Sequence, residues 1–377
     1  MLLCACVTFH YHFAGPAGVL PIIVLGAGTY FVGKSRNKRA CIAWIAVCTS
    51  ALIFYKYTHF LFESAVGVAF PELGKTGGAA IDQLLPALPP LGISFFTFEF
   101  VHYLIEIYRG HRPIRSPISF ALFAIFWPSL VAGPIKRYRQ YIVSLSRGLR
   151  LADRDDALAG IGRVTIGILK KLASDAMTGW IALQQPNFDH LPLAYRWLFV
   201  IVVGQRILLD FSGYSDMAIG FARMMGIRLP ENFNWPYVAW SISEFWRRWH
   251  ISLSTWIRDY IYIPLGGSRH GPLRRAINAL SAMALCGLWH GAAWNFALWG
   301  VYHGLGLVLA GALSRDRPWY HRLAYKSATL ERFEVAAMVL TRGMSWVLTM
   351  LFVHIGWLIF FYPVSTAIHM SIMLLEP

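Results

Sequence analysis

Charged residues are missing from three long stretches of this sequence. Residues 1–33, 276–314 and 343–375 contain no Asp, Glu, Lys or Arg. Each stretch exceeds the roughly 20 residues that an α-helix needs to cross the hydrocarbon core of a bilayer. Charged residues make up only 14% of the chain, against about 25% in a typical soluble domain. Several such stretches exclude a lone signal peptide and predict an all-α, polytopic membrane protein.

Cysteine is also scarce, and its spacing excludes two kinds of site. The five cysteines are Cys4, Cys6, Cys41, Cys48 and Cys286, and no two of them form a CxxC pair. The sequence therefore predicts neither a disulfide framework nor a zinc site. We expect the thiols to be small buried side chains.

Acidic residues are few beside basic ones, 19 against 34, which gives a net charge of +15. The basic residues gather in short clusters next to apolar segments, at residues 33–40, 108–115 and 269–275. Clusters of this kind orient membrane helices, with the positive loops in the cytoplasm, and attract anionic lipid headgroups. No nucleic-acid module is visible, so we expect contact with lipid and none with nucleic acid.

The apolar pattern predicts a series of membrane-crossing helices. They lie near residues 4–32, 41–62, 84–107, 117–135, 159–183, 195–225, 276–313 and 336–362, with a short last one at 364–375. The 276–313 run is long enough for one tilted span with a re-entrant piece or for two short spans. Residues 71–82 and 314–334 are the most polar connections and are expected outside the membrane.

Residues 118–140 do not fit a simple span. Basic clusters stand at both ends, and Pro128, Gly133 and Pro134 interrupt the helical pattern. Non-helical backbone at membrane depth is tolerated only where protein or a water-filled cavity covers it. Two interpretations stay open: a re-entrant or kinked element beside a cavity, or an ordinary kinked span with an imperfect charge bias.

Two histidines are candidates for chemistry at membrane depth. His290 lies in the apolar run GLWHGAAWNFALWGVYHG, between Trp289 and Gly291. A neutral histidine in a dry pocket can act as a general base near pH 7, and glycines let a ligand or backbone approach closely. The alternative for His290 is a histidine satisfied inside a helix bundle. His250 closes the segment EFWRRWH, and its alternative is an interfacial residue in a belt of Trp and Arg.

Charged residues in the aromatic segment 205–275 are expected to face the protein interior, where they pair with one another or line a pocket. Glu244 stands at helical spacing from Arg247 and Arg248, which indicates either an ion pair or an anion clamp for phosphate or carboxylate. Asp210 and Tyr214 belong to DFSGYSDMAIG, where two carboxylates and hydroxyls permit a hard-metal site. Helix packing is the preferred interpretation, and no metal is predicted.

Segment 210–220 also lacks the GxSxG pattern of a nucleophile elbow, which excludes that class of hydrolase site. His303 follows His290 by thirteen residues, so a continuous helix need not place both on one face. We therefore expect His303 to be a structural residue that supports the site.

The motifs EFWRRWHISLS at 244–254 and LWHG at 288–291 occur together with VAGPIKRY at 131–138 and ENFNWPY at 231–237. In this combination the chain resembles the membrane-bound O-acyltransferase family, in particular its bacterial alginate O-acetylation branch. A more distant likeness is to the D-alanine-transferring proteins of teichoic acid. The resemblance covers about residues 40–312, and both ends are atypical, so we expect a single membrane domain that is a shortened variant or a fragment.

The resemblance implies a ring of tilted helices, some short or re-entrant, around a tunnel through the membrane. His290 would be the essential catalytic residue and base, and His250 would be the second catalytic residue. The remaining candidates would line the tunnel or hold the acyl donor; they are Trp289, Trp294, Asn295, Glu244, Arg247, Arg248, Asp210 and Tyr214.

The implied reaction moves an acyl group, expected to be acetyl, across the bacterial inner membrane onto an exported polysaccharide. The donor would be acetyl-coenzyme A or an acyl-carrier thioester, with no tightly bound cofactor. Expected partners are a periplasmic acyltransferase or other polysaccharide-modifying proteins, and a cytoplasmic acyl-carrier protein. D-alanyl transfer, a solute transporter or channel, and an inactive scaffold are the alternatives.

Overall fold

The computed structural model describes residues 1–85, 89–313 and 328–376, and all regular structure within these ranges is helical. The chain divides into two compact units, Met1–Ile168 with Tyr214–Pro230 and Leu169–Gly213 with Glu231–Pro377. The division falls inside two long helices, α8 (Arg154–Gln184) and α9 (Leu193–Met224). The expectation of a single membrane domain stays a prediction.

The first unit contains seven complete helices within the described residues. They are α1 (Leu2–Ser35), α2 (Lys38–Phe60), α3 (Gly67–Ala69), α4 (Pro71–Leu84), α5 (Ile93–Tyr108), α6 (Pro117–Ala124) and α7 (Tyr138–Leu151). Helix α1 is broken at Gly15, whose φ of 66° lies outside the helical region. Asn37 starts α2 because its side chain accepts hydrogen bonds from the backbone N–H groups of Arg39 and Ala40.

Aromatic side chains form the core of the first unit. Phe96, Phe100 and Tyr103 on α5 are fully buried against Phe120 and Phe123 of α6. Tyr103 meets Phe120 edge-on at 5.4 Å between ring centroids, and Phe100 stacks on Phe120 at 6.3 Å. Such geometry is favoured by the aromatic quadrupole and fixes the positions of the helices.

The interrupted segment 118–140 is not an ordinary span. Helix α6 has only eight residues and begins on the Ser116 cap, which gives a length of about 12 Å at 1.5 Å per residue. A short 3₁₀ turn, Trp127–Ser129, follows, and the chain is non-helical from there to Tyr138. The segment is broken rather than an ordinary kinked span, because Pro128 and Pro134 cannot continue a helix. That it is re-entrant and lies beside a cavity stays a prediction.

The second unit contains the remainder of α8 and α9 and six further helices within the described residues. They are α10 (Ile242–Arg248), α11 (Ile251–Ile257), α12 (Gly271–His290), α13 (Trp294–Leu313), α14 (Ala328–Phe361) and α15 (Val364–Met373). Helices α12 and α13 form an antiparallel hairpin joined by residues 291–293. Of the two forms expected for 276–313, the structure has two short helices.

Four helical segments among the described residues are long and apolar enough to cross a membrane: Gly18–Ser35, Lys38–Ala69, Leu193–Met224 and Leu340–Phe361. The chain is thus an all-α polytopic membrane protein. Single continuous helices at 84–107 and 117–135 were wrong expectations. Helix α5 begins only at Ile93, and helix α6 already ends at Ala124. Residues 159–183 lie in α8, which carries charges along its length.

Two expected connections have different outcomes. Residues 71–84 are helical rather than an open connection. The expected connection 314–334 lies mainly outside the described residues. The ring and tunnel that the resemblance implies stay predictions.

Candidate active site

His250 is held in place by Asn232, a fully buried residue of the turn before α10. The Asn232 side-chain oxygen accepts hydrogen bonds from the backbone N–H of Ser252 at 3.3 Å and from its hydroxyl at 2.9 Å. The same oxygen lies 3.0 Å from Nδ1 of His250. Because an amide oxygen only accepts, Nδ1 carries the proton, and Nε2 of the neutral ring has a lone pair.

The backbone at His250 is strained. Its φ of 44° and ψ of 54° place it in the left-handed region, at the turn between α10 and α11. Few residues other than glycine adopt this conformation. Asn232 also accepts a hydrogen bond from the Ile251 N–H through its backbone oxygen, at 2.9 Å. Asn232 therefore fixes three successive residues and aims the imidazole.

Nε2 of His250 is buried and has no hydrogen-bond partner among the described residues. The His250 ring is enclosed instead by aromatic rings, with Phe211 edge-on at 4.6 Å and Trp289 at 6.2 Å between centroids. A buried polar atom without a partner costs about 1–3 kcal/mol. Such exceptions are uncommon in native structures and often have a functional reason.

His290 is the last residue of α12 and lies in the same aromatic enclosure. Its ring is edge-on to Trp299 at 5.3 Å and to Phe360 at 5.2 Å, and it contacts Trp289 at 4.9 Å. His290 is half-buried, and the His250 and His290 imidazoles are near enough to interact electrostatically. The structure therefore brings together the two histidines that the sequence singled out.

The glycines around His290 serve helix packing. A Cβ at Gly287 would lie 2.2 Å from the Phe296 backbone oxygen and 2.9 Å from Cα of Gly300 on α13. A Cβ at Gly291 would lie 2.0 Å from the ring of Phe296. The close approach that the sequence indicated is thus made by the protein's own backbone and side chains, and it fixes the end of α12.

His303 lies one layer behind His290. It is fully buried on α13, and Trp299 stands between the two, 4.8 Å from the His303 ring. Nδ1 of His303 accepts a hydrogen bond from the indole N–H of Trp246 at 3.3 Å. The supporting role expected of His303 stays a prediction.

Glu244 and Arg248 form an ion pair. Nη2 of Arg248 is 2.8 Å from Oε1 of Glu244, and its Nη1 donates to the backbone oxygen of Asn234. The second oxygen of Glu244 accepts the Trp240 N–H at 3.1 Å. These bonds join the connection between α9 and α10, which carries Asn232, to α10. Of the two interpretations of Glu244 and Arg248, the ion pair is the one observed. Arg247 is exposed.

The other candidates lie apart from the histidines or are engaged elsewhere. Asp210 pairs with Lys171 at 2.7 Å, and the Asn295 amide donates to the Phe360 backbone oxygen at 3.0 Å. Trp294 is 56% exposed. Tyr214 belongs to the first unit, with its hydroxyl at the backbone of Val131 and Ala132. In the described part of the chain no three His, Cys, Asp or Glu side chains cluster as a metal site.

Two features were missed by sequence reasoning. Asn232 was overlooked although it stands in the motif ENFNWPY, where an uncharged amide beside apolar residues was the available signal. The second is a buried ion pair in the first unit, in which Nζ of Lys136 lies 2.6 Å from Oε1 of Glu99. Lys136 stands in the motif VAGPIKRY and Glu99 in the apolar run 84–107, and their distance in sequence concealed the pairing.

Comparison with known proteins places these residues in a family. The family model for MBOAT, the membrane-bound O-acyltransferase family, matches residues 89–329, a range that contains both histidines. The chain belongs to this family. The polytopic helical fold and the family match agree.

Particular relatives are bacterial. A probable alginate O-acetylase (AlgI) of Pseudomonas aeruginosa is 36% identical over 94% of this chain and 63% of its own length. A peptidoglycan O-acetyltransferase of Helicobacter pylori is 33% identical over 82% of this chain and 59% of its own length. A teichoic acid D-alanyltransferase of Bacillus subtilis is 30% identical over 76% of this chain and 83% of its own length. The chain thus spans less than two thirds of the length of the alginate relatives.

Proposed function

We propose that this protein is a membrane O-acyltransferase that passes an acetyl group from a thioester donor toward an exported polysaccharide. The observation that carries the proposal is the pairing of His250 and His290 in one aromatic enclosure, with Nε2 of His250 lacking a partner among the described residues. Family membership and the names of the alginate and peptidoglycan relatives support this class of reaction.

His290 acts as the general base. A hydroxyl is a weak nucleophile until a base takes its proton. His290 takes that proton as the hydroxyl oxygen attacks the thioester carbonyl carbon. The carbon–sulfur bond then breaks, the acyl group stays on the oxygen, and the leaving sulfur receives the proton from His290. The balanced result is an ester and a free thiol.

His250 and the tryptophans assist this transfer. With Nδ1 held by Asn232, the lone pair of His250 Nε2 is directed into the enclosure, where it accepts a hydrogen bond from the acceptor hydroxyl or stabilises protonated His290. The indole N–H of buried Trp289 supplies a donor for the negative oxygen of the tetrahedral intermediate. Trp294, which is exposed, stays an expected tunnel or acyl-donor residue.

The proposed acyl donor follows from the basic clusters of the chain, and the proposed partners follow from its place in a membrane. The basic clusters at 33–40, 108–115 and 269–275 suit an anionic donor, either acetyl-coenzyme A or the phosphopantetheine of an acyl-carrier protein. The protein would work in the bacterial inner membrane, with a periplasmic acyltransferase that completes delivery to the polymer.

D-alanyl transfer to a teichoic-acid-type polymer is the second candidate. The Bacillus subtilis D-alanyltransferase is matched over 83% of its length, a larger share than either acetyltransferase relative. The chemistry at His290 would be the same, and only the acyl group and its carrier would differ.

The test supplies labelled donors to membranes that contain the full chain and its polymer. Acetyl-coenzyme A and a D-alanyl-loaded carrier protein are compared, with His290→Ala, His250→Ala and, as matched control, His369→Ala at an exposed histidine. We expect His290→Ala to lower transfer by about 10²–10⁴-fold, His250→Ala to lower it less, and His369→Ala to leave it unchanged. Unchanged transfer by folded His290→Ala would refute the mechanism, and solute flux without transfer would favour a transporter.

A further inference from the structure

The second unit contains a large cavity whose lining residues include neither His250 nor His290. It has a volume of about 560 Å³ and lies among α10, α11, α12 and α13. Cavities of roughly 300–1,000 Å³ with apolar walls are typical of ligand sites. Its walls along α12 and α13 are small or apolar, including Ala276, Ala279, Ala282 and Val308.

One end of the cavity carries a positive charge that no described residue pairs with. Arg275 lines the cavity and is half-buried, and its guanidinium lies on Gly311, where a Cβ would be 2.7 Å from Nη2. Arg275 makes no hydrogen bond or ion pair with any described residue. Arg258, the other arginine in the wall, differs, because Asp259 pairs with it at 2.8 Å.

Two further features at this end favour an anion. Helix α12 begins here with Pro272 in its first turn and without a side-chain cap, so its first backbone N–H groups are available to an acceptor. The hydroxyls of Tyr262 and Ser268, which bond to each other at 2.8 Å, also line the cavity. Exposed Arg269 lies nearby in sequence and adds to the positive field.

We propose that this cavity binds one anionic phospholipid of the surrounding bilayer, with its phosphate at Arg275 and an acyl chain along α12 and α13. The apolar walls match the chain, and the unpaired guanidinium at one end matches the headgroup charge. Positive clusters of this kind face the cytoplasmic leaflet, where anionic lipids attract Lys and Arg. This lipid binding does not depend on the acyl transfer reaction.

The bound lipid would stabilise α12, the helix that carries His290 at its end. Cys286 lines the inner end of the cavity and stands one helical turn before His290 on α12. A chain that fills the space between α12 and α13 would add contacts to the hairpin that positions His290. Mass action then predicts that the lipid stabilises the folded protein as its concentration exceeds the dissociation constant.

The test measures lipid retention by the purified full chain with native mass spectrometry. Phosphatidylglycerol and phosphatidylcholine with the same acyl chains are compared on wild type, Arg275→Gln, Ala279→Phe and the matched control Arg274→Gln, an exposed neighbour on the same helix. We expect wild type to prefer phosphatidylglycerol. Arg275→Gln should lower phosphatidylglycerol affinity by about fivefold and remove the preference, Ala279→Phe should weaken both lipids, and Arg274→Gln should leave both unchanged.

Two outcomes would overturn the proposal. The first is equal binding of both lipids by wild type and by Arg275→Gln. The second is stoichiometric displacement of phosphatidylglycerol by acetyl-coenzyme A, which would make the cavity a donor passage. If Ala279→Phe does not fold, a photoreactive acyl chain on phosphatidylglycerol replaces it. Crosslinks to wild type within residues 272–286 support the proposal, and their absence there contradicts it.

Discussion

Two buried polar sites, one in each unit, differ in how their charges and hydrogen bonds are satisfied. In the first unit, Lys136 is buried with Nζ 2.6 Å from Glu99 and 3.1 Å from the hydroxyl of Ser129. Opposite charges compensate each other there. In the second unit, Glu244 is likewise paired with Arg248. The imidazoles of His250 and His303 differ, because they lie within aromatic rings and Nε2 of each lacks a hydrogen-bond partner among the described residues.

This difference separates scaffold from chemistry. In a compensated pair in a dry interior each charge is balanced by the other, and removing one partner leaves an isolated charge. An imidazole with one nitrogen fixed and the other open can accept a proton or a hydrogen bond. We therefore expect the Lys136–Glu99 pair to support the first unit, whereas the proposed reaction uses His250 and His290.

The largest expected effect on stability comes from breaking the pair. Lys136→Met should lower the free energy of unfolding by about 3–5 kcal/mol, because Glu99 is then buried without its counter-charge. Denaturant unfolding of the purified full chain in micelles measures the change. The matched control is the double variant Glu99→Leu with Lys136→Met, which should recover most of the loss. A loss under 1 kcal/mol in the single variant would mean that the pair is not a scaffold.

The hairpin of α12 and α13 should be nearly as sensitive. Gly287→Val should destabilise the protein by about 1–3 kcal/mol, since the added side chain meets the Phe296 and Gly300 backbone. Gly162→Ala on α8 is the control, because a Cβ there meets nothing within 4 Å. It should be neutral or stabilise by up to about 1 kcal/mol. Equal unfolding midpoints for the two variants would contradict the close packing.

Asn232 should affect turnover more than substrate binding. Asn232→Ala frees Nδ1 of His250, so we expect acyl transfer per folded molecule to fall by about tenfold, equivalent to 1.4 kcal/mol. The effect should appear in kcat with KM little changed, a split that a merely structural role would not produce. Asn232→Asp keeps the acceptor oxygen and should restore part of the rate. A fall confined to KM would assign Asn232 to substrate binding instead.

The smallest effect is expected at His303. His303→Phe removes the hydrogen bond from Trp246, which is worth about 1 kcal/mol of stability. Transfer per folded molecule should change by less than about threefold, because Trp299 separates His303 from His290. Steady-state assays of His303→Phe and His250→Ala measure transfer per folded molecule. A larger loss in His303→Phe than in His250→Ala would contradict the supporting role of His303.

The sequence was sufficient for the fold class and for the two central histidines, because charge-free runs and the motif pair around His250 and His290 are local signals. It was also sufficient to identify 118–140 as broken, since proline acts through its own backbone. The start of α5 at Ile93 was not predictable from hydropathy, which continues through 84–92. The functions of Gly287 and Asn232 depend on partners distant in sequence, Gly300 and His250, which composition does not reveal.

The central claim is that His290 carries the proposed transfer, while the compensated ion pair only supports the fold. The most direct measurement is acyl transfer per folded molecule in His290→Ala and in the double variant Glu99→Leu with Lys136→Met, assayed together. We predict that His290→Ala loses at least about 100-fold with unfolding unchanged, and that the double variant keeps wild-type transfer. Full transfer by His290→Ala, or loss of transfer in a folded double variant, would contradict the account.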